Sequence, residues 1–183
     1  MALRRFARAD GGVIAIEFVF IAPAMLIMTF GLVEILISFL ISTTLESATA
    51  AAAREIRTGV FQSDMQGKSE AESIETFKQN VCAGVAWLSG DCEGRLSVAS
   101  RTFASFPAMQ AALPTLDESN ACWQPGAAGN IVLVTVSYRW RVITPLLRPM
   151  LGETPDGYQT MRSMAVFQNE PFLNSQPLPP PCA

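Results

Sequence analysis

No histidine occurs among the 183 residues, which excludes His-based triads, His zinc sites and imidazole general bases. Lysine is nearly missing as well. Only Lys68 and Lys78 are present, neither within a Ser-x-x-Lys motif, and the Gly-x-Ser-x-Gly nucleophile elbow is absent. The four cysteines contain no Cys-x-x-Cys pair, so a zinc site or a thioredoxin-type redox site is not expected. Positive charge is thin: 13 Lys and Arg stand against 16 Asp and Glu, for a formal charge of -3. No basic run beyond the first dozen residues could follow a phosphate backbone, so nucleic acid is not an expected partner. Asp64, Asp91, Asp117, Glu118, Glu153 and Asp156 fall in segments that read as loops or helix ends, where a carboxylate is usually solvated. The reading is therefore of a protein that is not an enzyme, with no cofactor and no metal.

What is abundant is apolar surface. Half of the residues are hydrophobic, mean hydropathy is +0.29, and the excess sits near the N-terminus. From Val13 to Leu45 the only charged residues are Glu17 and Glu34. Phe18 to Ile41 is about 24 residues, or roughly 36 Å of helix, enough for a hydrocarbon core of ~30 Å. With the inner boundary near Phe18, Glu34 falls close to the outer interface, where a carboxylate costs far less than at the centre. Arg4, Arg5 and Arg8 precede the span, whereas Glu46, Arg54, Glu55 and Arg57 mix signs beyond it, which places the N-terminus in the cytoplasm and the rest outside it. Pro23 lies inside the run and frees the carbonyl of Val19. A cleaved secretory signal ending at Ala48-Thr49-Ala50 would need a much shorter apolar region. A twin-arginine address at Arg4-Arg5-Phe6 lacks the rest of its signature. An uncleaved signal anchor remains the plain alternative.

The order of residues at the boundary is more specific. Asp10-Gly11-Gly12 precedes Val13-Ile14-Ala15-Ile16 and then Glu17-Phe18. This resembles the cleavage site of type IV prepilins, in which a peptidase cuts after a glycine and a glutamate stands fifth in the mature chain. Gly12 and Val13 would flank the cut, Glu17 would be fifth, and Phe18 matches the aromatic of Flp-type pilins and TadE-like pseudopilins. Gly11 is a competing site that would put Glu17 sixth. Independently of the family, a free ammonium on Val13 and a carboxylate a little over one turn away each need a partner in a low dielectric. Staggered parallel helices in a filament would set Glu17 of one subunit beside the N-terminal amine of its neighbour.

Past the membrane, Leu45, Ala48, Ala52 and Ile56 share one helix face, with Gly59 as a stop. A single stem from Ile14 to Thr58 would be about 68 Å long. Gln62 to Lys68 reads as a polar linker. Glu70 to Leu88 predicts a second helix, with Ile74, Phe77, Val81, Val85 and Leu88 at helical spacing. Arg95 to Phe103, Ile131 to Val142 and Tyr158 to Gln168 alternate as strands. In the second, Val132, Val134, Val136, Tyr138, Trp140 and Val142 form one face; Ile131, Leu133, Arg139 and Arg141 form the other, covered at one end and wet at the other. The third should pair antiparallel with the second, its own face carrying Met161, Ser163, Ala165 and Phe167. Val134 to Tyr138, Thr144-Pro145-Leu146 and Phe167 to Pro171 also resemble the closing β-hairpin of TadE-like proteins, with Glu170 a structural anchor or a solvated carboxylate. Residues 61–129 resemble nothing nameable.

The expected fold class is α+β: a long N-terminal transmembrane α-helix, the pilin-like stem, then a small extracytoplasmic head with a second helix and an antiparallel β-sheet. The divisions are a cleaved basic leader (1–12), the stem (13–59), the head (60–170) and a proline-rich, polyproline-type tail (171–183). Cys82, Cys92, Cys122 and Cys182 all lie outside the cytoplasm in this topology, and an even count predicts two disulfides. Of the three connectivities, Cys82 with Cys92 and Cys122 with Cys182 is favoured, the first closing a short loop and the second pinning the tail.

The resemblance implies a TadE-like minor pseudopilin of a tight-adherence (Flp, type IV-related) pilus. It would sit in the bacterial inner membrane as a single-pass protein with a periplasmic head, and help initiate or tip an extracellular filament. Its implied partners are the major Flp pilin, other TadE- or TadF-like minor pilins, the prepilin peptidase and the inner-membrane platform. The alternative is a bitopic periplasmic ligand-binding or hydrolase domain that never enters a filament.

Overall fold

A computed structural model describes residues 11–85, 92–113 and 122–172. Residues 1–10 of the expected leader, Leu88, Asp91, Asp117, Glu118, Cys182 and the expected tail from residue 173 onward lie outside the described residues. Helix α1 runs unbroken from Gly11 to Thr58, 48 residues or about 72 Å, so membrane segment and stem are one element. Pro23 lies within it, and the helix runs on past the carbonyl that the proline leaves without its backbone donor. The stop is Gly59, whose φ of 81° is left-handed. A Cβ there would also meet the Phe172 ring at 2.5 Å.

The chain then turns through a short helix α2 (Val60–Asp64). The expected polar linker thus starts later than Gln62, because Phe61 is 2% exposed and holds the turn in the core. Helix α3 (Glu70–Gly84) opens with a capping box: the Ser69 hydroxyl accepts from the Glu72 N–H, and the Glu72 carboxylate accepts from the Ser69 N–H. The Ser69 backbone and hydroxyl donors hold the Glu72 carboxyl below its ordinary range. Phe77, Val81 and Val85 are fully buried, as their spacing predicts. Helices α3 and α1 touch closely at small residues, where a Cβ on Gly84 would stand 2.7 Å from the Ala48 Cβ. A disulfide joins Cys82 to Cys92 with Cα atoms 5.9 Å apart, tying α3 to the single turn α4 (Cys92–Arg95).

Strand β1 (Leu96–Phe103) follows directly, one residue later than the pattern suggests because Arg95 closes α4. Helix α5 (Phe106–Ala112), capped by Ser105, has no counterpart in the sequence reading. Strands β2 (Ile131–Arg141) and β3 (Tyr158–Gln168) complete an antiparallel sheet of order β1-β2-β3. Leu96 pairs with Tyr138 and Val136 with Ser163. Trp123 adds a short parallel bridge to Ser100, covering part of the β1 edge. Val132, Val134, Val136 and Tyr138 are fully buried on the inner face. Ile131 and Leu133 are covered on the other, while Arg139 and Arg141 are exposed.

The core lies between that inner face and the helices. Ile41, Leu45, Ala48, Ala52 and Ile56 come from α1. Phe61, Phe77 and Trp123 form an edge-to-face and tilted cluster with ring centroids 5.1–6.0 Å apart. The architecture is α+β: a long apolar helix, then a small head of helices and three antiparallel strands.

Candidate functional site

Helix α1 changes character once along its length. From Ile14 to Val33 almost every side chain is exposed, including Phe18 (68%) and Met28 (79%). That bare stretch is about 30 Å long, the thickness of a hydrocarbon core. Beyond it the head covers one face. The apolar run past residue 34 therefore has two environments: Ile37 and Ile41 belong to the head core, and only the averted residues remain free to meet lipid. Periodicity could not reveal this, because a lipid-facing and a core-facing leucine look alike in sequence.

Glu34 stands at the change. It is 2% exposed, and its carboxylate accepts from four neutral donors on the end of β2 and the loop that follows. Oε1 takes the Ile143 N–H at 3.1 Å and the Trp140 Nε1–H at 3.3 Å. Oε2 takes the Thr144 N–H at 3.0 Å, the Thr144 hydroxyl at 3.1 Å and the Ile143 N–H at 3.1 Å. The sequence places Glu34 near the outer interface, and the fold adds a set of donors from the head. Hydrogen bonds from a full set of donors offset the cost of burying the charge, and bolt the membrane end of the head to the stem. The signal was a lone carboxylate within an apolar run; its donors are more than a hundred residues away and could not be inferred.

A second fastening lies at the far end of the stem. The Glu170 N–H donates to the Arg57 carbonyl at 2.9 Å, and the Arg57 Nε stands 3.3 Å from the Glu170 carboxylate with both side chains about half exposed. Glu170 thus anchors the end of β3 to the stem. Arg57 faces outward and finds its partner there.

Gly12 lies in the first turn of α1, followed by Val13. Glu17 and Phe18 are exposed on the bare segment, on the same helix but well away from Glu34. Cys122 is buried and disulfide-bonded, while its expected partner Cys182 is outside the described residues.

Residues 12–54 match a family model described as TadE-like protein. Over that segment the chain resembles the TadE-like family. The TadE-like match begins at Gly12 and takes in Glu17, Glu34 and the stem as far as Arg54; it does not extend to the β2–β3 hairpin. The match and the one long apolar helix among the described residues together suggest a single-pass, membrane-anchored chain. No curated protein matches the chain, and neither does any solved structure.

Proposed function

We propose that this chain is a minor pilin, a pseudopilin, of a tight-adherence (Flp) pilus or a related secretion filament. It acts by assembly rather than turnover, initiating or tipping the filament together with the major Flp pilin and other TadE- or TadF-like subunits. The observation that carries the reading is the bare, lipid-length lower half of α1, headed by Gly12 and Glu17 and lying within the TadE-like segment. A prepilin peptidase cuts after Gly12. The residue before the cut must bring extended backbone close to the catalytic groups, and two consecutive glycines make the first turn of α1 inexpensive to unwind, by about 1 kcal/mol each relative to alanine. The new Val13 ammonium then pairs with Glu17 of a neighbouring subunit, each charge neutralising the other in the membrane. The head faces the periplasm, with the inner-membrane platform driving the subunit into the filament.

The test separates processing from assembly. N-terminal sequencing of the native chain should begin Val-Ile-Ala-Ile-Glu, and Gly12→Leu should leave an uncut precursor in the inner membrane. Glu17→Gln should still be cut but should no longer co-purify with the major pilin. A native chain still beginning at Met1 or Ala2, in cells that make the peptidase, would overturn the pilin reading in favour of a bitopic periplasmic domain.

A further inference from the structure

The loop from residue 142 to 157 is built like a foot. It leaves β2 at Arg141, makes a 3-10 turn (Pro145–Leu147) and a single α-turn (Arg148–Leu151), and returns to β3 at Tyr158. It is stiffened internally: the Val142 N–H donates to the Gly157 carbonyl at 3.0 Å, the Gly152 N–H to the Arg148 carbonyl at 2.9 Å, and the Arg148 Nε to the Val142 carbonyl at 3.1 Å. Its height on the stem is set from two sides. Glu34 holds the Ile143 and Thr144 amides, and Leu147 lies so close to the stem that a Cβ on Gly31 would stand 3.5 Å from its Cδ1. The loop therefore reaches down to the level of Gly31.

On the opposite, averted face of α1, the stem stays apolar and exposed much higher. Ile35, Leu36, Phe39 and Leu40 are 48–68% exposed, and the surface turns polar only from Ser42 and Thr43 to Glu46. Leu40 lies about 14 Å further along the axis than Gly31. From Ile14 to Leu40 the bare apolar face measures about 40 Å, which is a hydrocarbon core plus its interface. A bilayer that covers Leu40 on one side of the stem must meet the foot on the other. The foot is chemically suited to that place: Met150 is 80% exposed, as bare as Met28 in the middle of the span, and Ile143 is 57% exposed. Arg139 and Arg141 are exposed just above, on β2, although Glu153 and Asp156 on the returning limb moderate the positive charge.

We infer that this loop is a membrane foot, seating Ile143 and Met150 in the headgroup–acyl boundary with Arg139 and Arg141 placed to meet anionic headgroups, so that the head is fixed at one height and one rotation on the bilayer. The inference rests on the membrane-spanning reading of α1 and adds a second lipid contact to it. Apolar side chains at this boundary gain by burial, and nearby arginines gain by attraction to anionic lipid. Before any filament forms, such a seat would hold the subunit upright beside its assembly partners.

The test uses the full chain in nanodiscs of phosphatidylethanolamine and phosphatidylglycerol. No cysteine is free among the described residues, so Met150→Cys, Met28→Cys and Phe106→Cys can each carry a polarity-sensitive fluorophore, with the unsubstituted chain as labelling blank. Lipids bearing a nitroxide high or low on the acyl chain then report depth. The probe at 150 should be blue-shifted and quenched most by the shallow nitroxide, the probe at 28 most by the deep one, and the probe at 106 by neither. If 28 is quenched and 150 is not, the foot is wrong and the span stands. If 28 is not quenched either, the spanning reading fails with it. A blue shift at 150 that appears only at high protein density, without lipid quenching, would assign this surface to a second copy of the chain and overturn the lipid seat.

Discussion

The two halves of helix α1 have the same secondary structure, yet the lower is almost wholly apolar and the upper carries Glu46, Arg54, Glu55 and Arg57 among its small residues, and they are held by different things. Below Glu34 the side chains are large, apolar and bare, and the helix makes few contacts with its own chain. Above it, the buried face narrows to Ile41, Leu45, Ala48, Thr49, Ala52, Ala53 and Ile56, with the small Ala48 where α3 comes close. The lower half is specified by a solvent, where any apolar side chain of sufficient length will do. The upper half is specified by shape, because packing at interior density reacts to single atoms. One residue, Glu34, marks the boundary by satisfying its charge with the head rather than with water.

The largest expected effect sets the halves directly against each other. Ala52→Glu would put a charge without a partner into a site 3% exposed, and should destabilise the head by about 4 kcal/mol, read as a fall in the thermal midpoint of the detergent-solubilised chain. Met28→Lys, in the bare half, should leave that midpoint unchanged and instead oppose membrane insertion by about 3 kcal/mol, read as a loss of membrane-integrated protein. Equal loss of head stability from both would mean that the halves are not independent. A smaller effect is expected at the boundary. Glu34→Ala leaves the amides of Ile143 and Thr144 and the Trp140 indole without their acceptor, at about 2–4 kcal/mol. Amide exchange should quicken at residues 143 and 144 well before it does in the middle of β2. Uniform quickening would show that the bolt and the core open together. The smallest effect belongs to the upper fastening: Arg57→Ala removes a half-exposed pair and should cost less than about 1 kcal/mol, so a midpoint shift comparable to that of Glu34→Ala would contradict the ranking.

The sequence made the elements legible wherever a period ran long. The face of β2 was visible in the alternation Val132, Val134, Val136, Tyr138, β3 was bounded correctly, and the buried stripe of α3 followed from Phe77, Val81 and Val85. The region after Gly59 was harder, because Phe61 is a single apolar residue in a polar stretch and its burial depends on Phe77 and Trp123, which arrive from two other segments. Helix α5 was missed for a related reason: at seven residues it is too short for a period to declare itself. Of the candidate site, Gly12, Val13, Glu17 and Phe18 come from a local pattern that needs no fold. Cys82 and Cys92 were favoured as a pair because they lie close in the chain, and the end of α3 does bring them together.

By itself, then, the sequence determined that one apolar helix long enough for a bilayer leads into a head with an antiparallel sheet, because hydrophobic length and period are local quantities. It also excluded histidine chemistry outright. Only the tertiary structure decided where the membrane segment gives way to the stem, which of the two glutamates in the apolar run is held by the head, and how far the 142–157 loop descends. Those depend on distances between residues more than a hundred positions apart. The hydrogen bonds that settle them have no trace in the pattern of the residues that donate them, since an amide of Ile143 or Thr144 is the same group in every sequence.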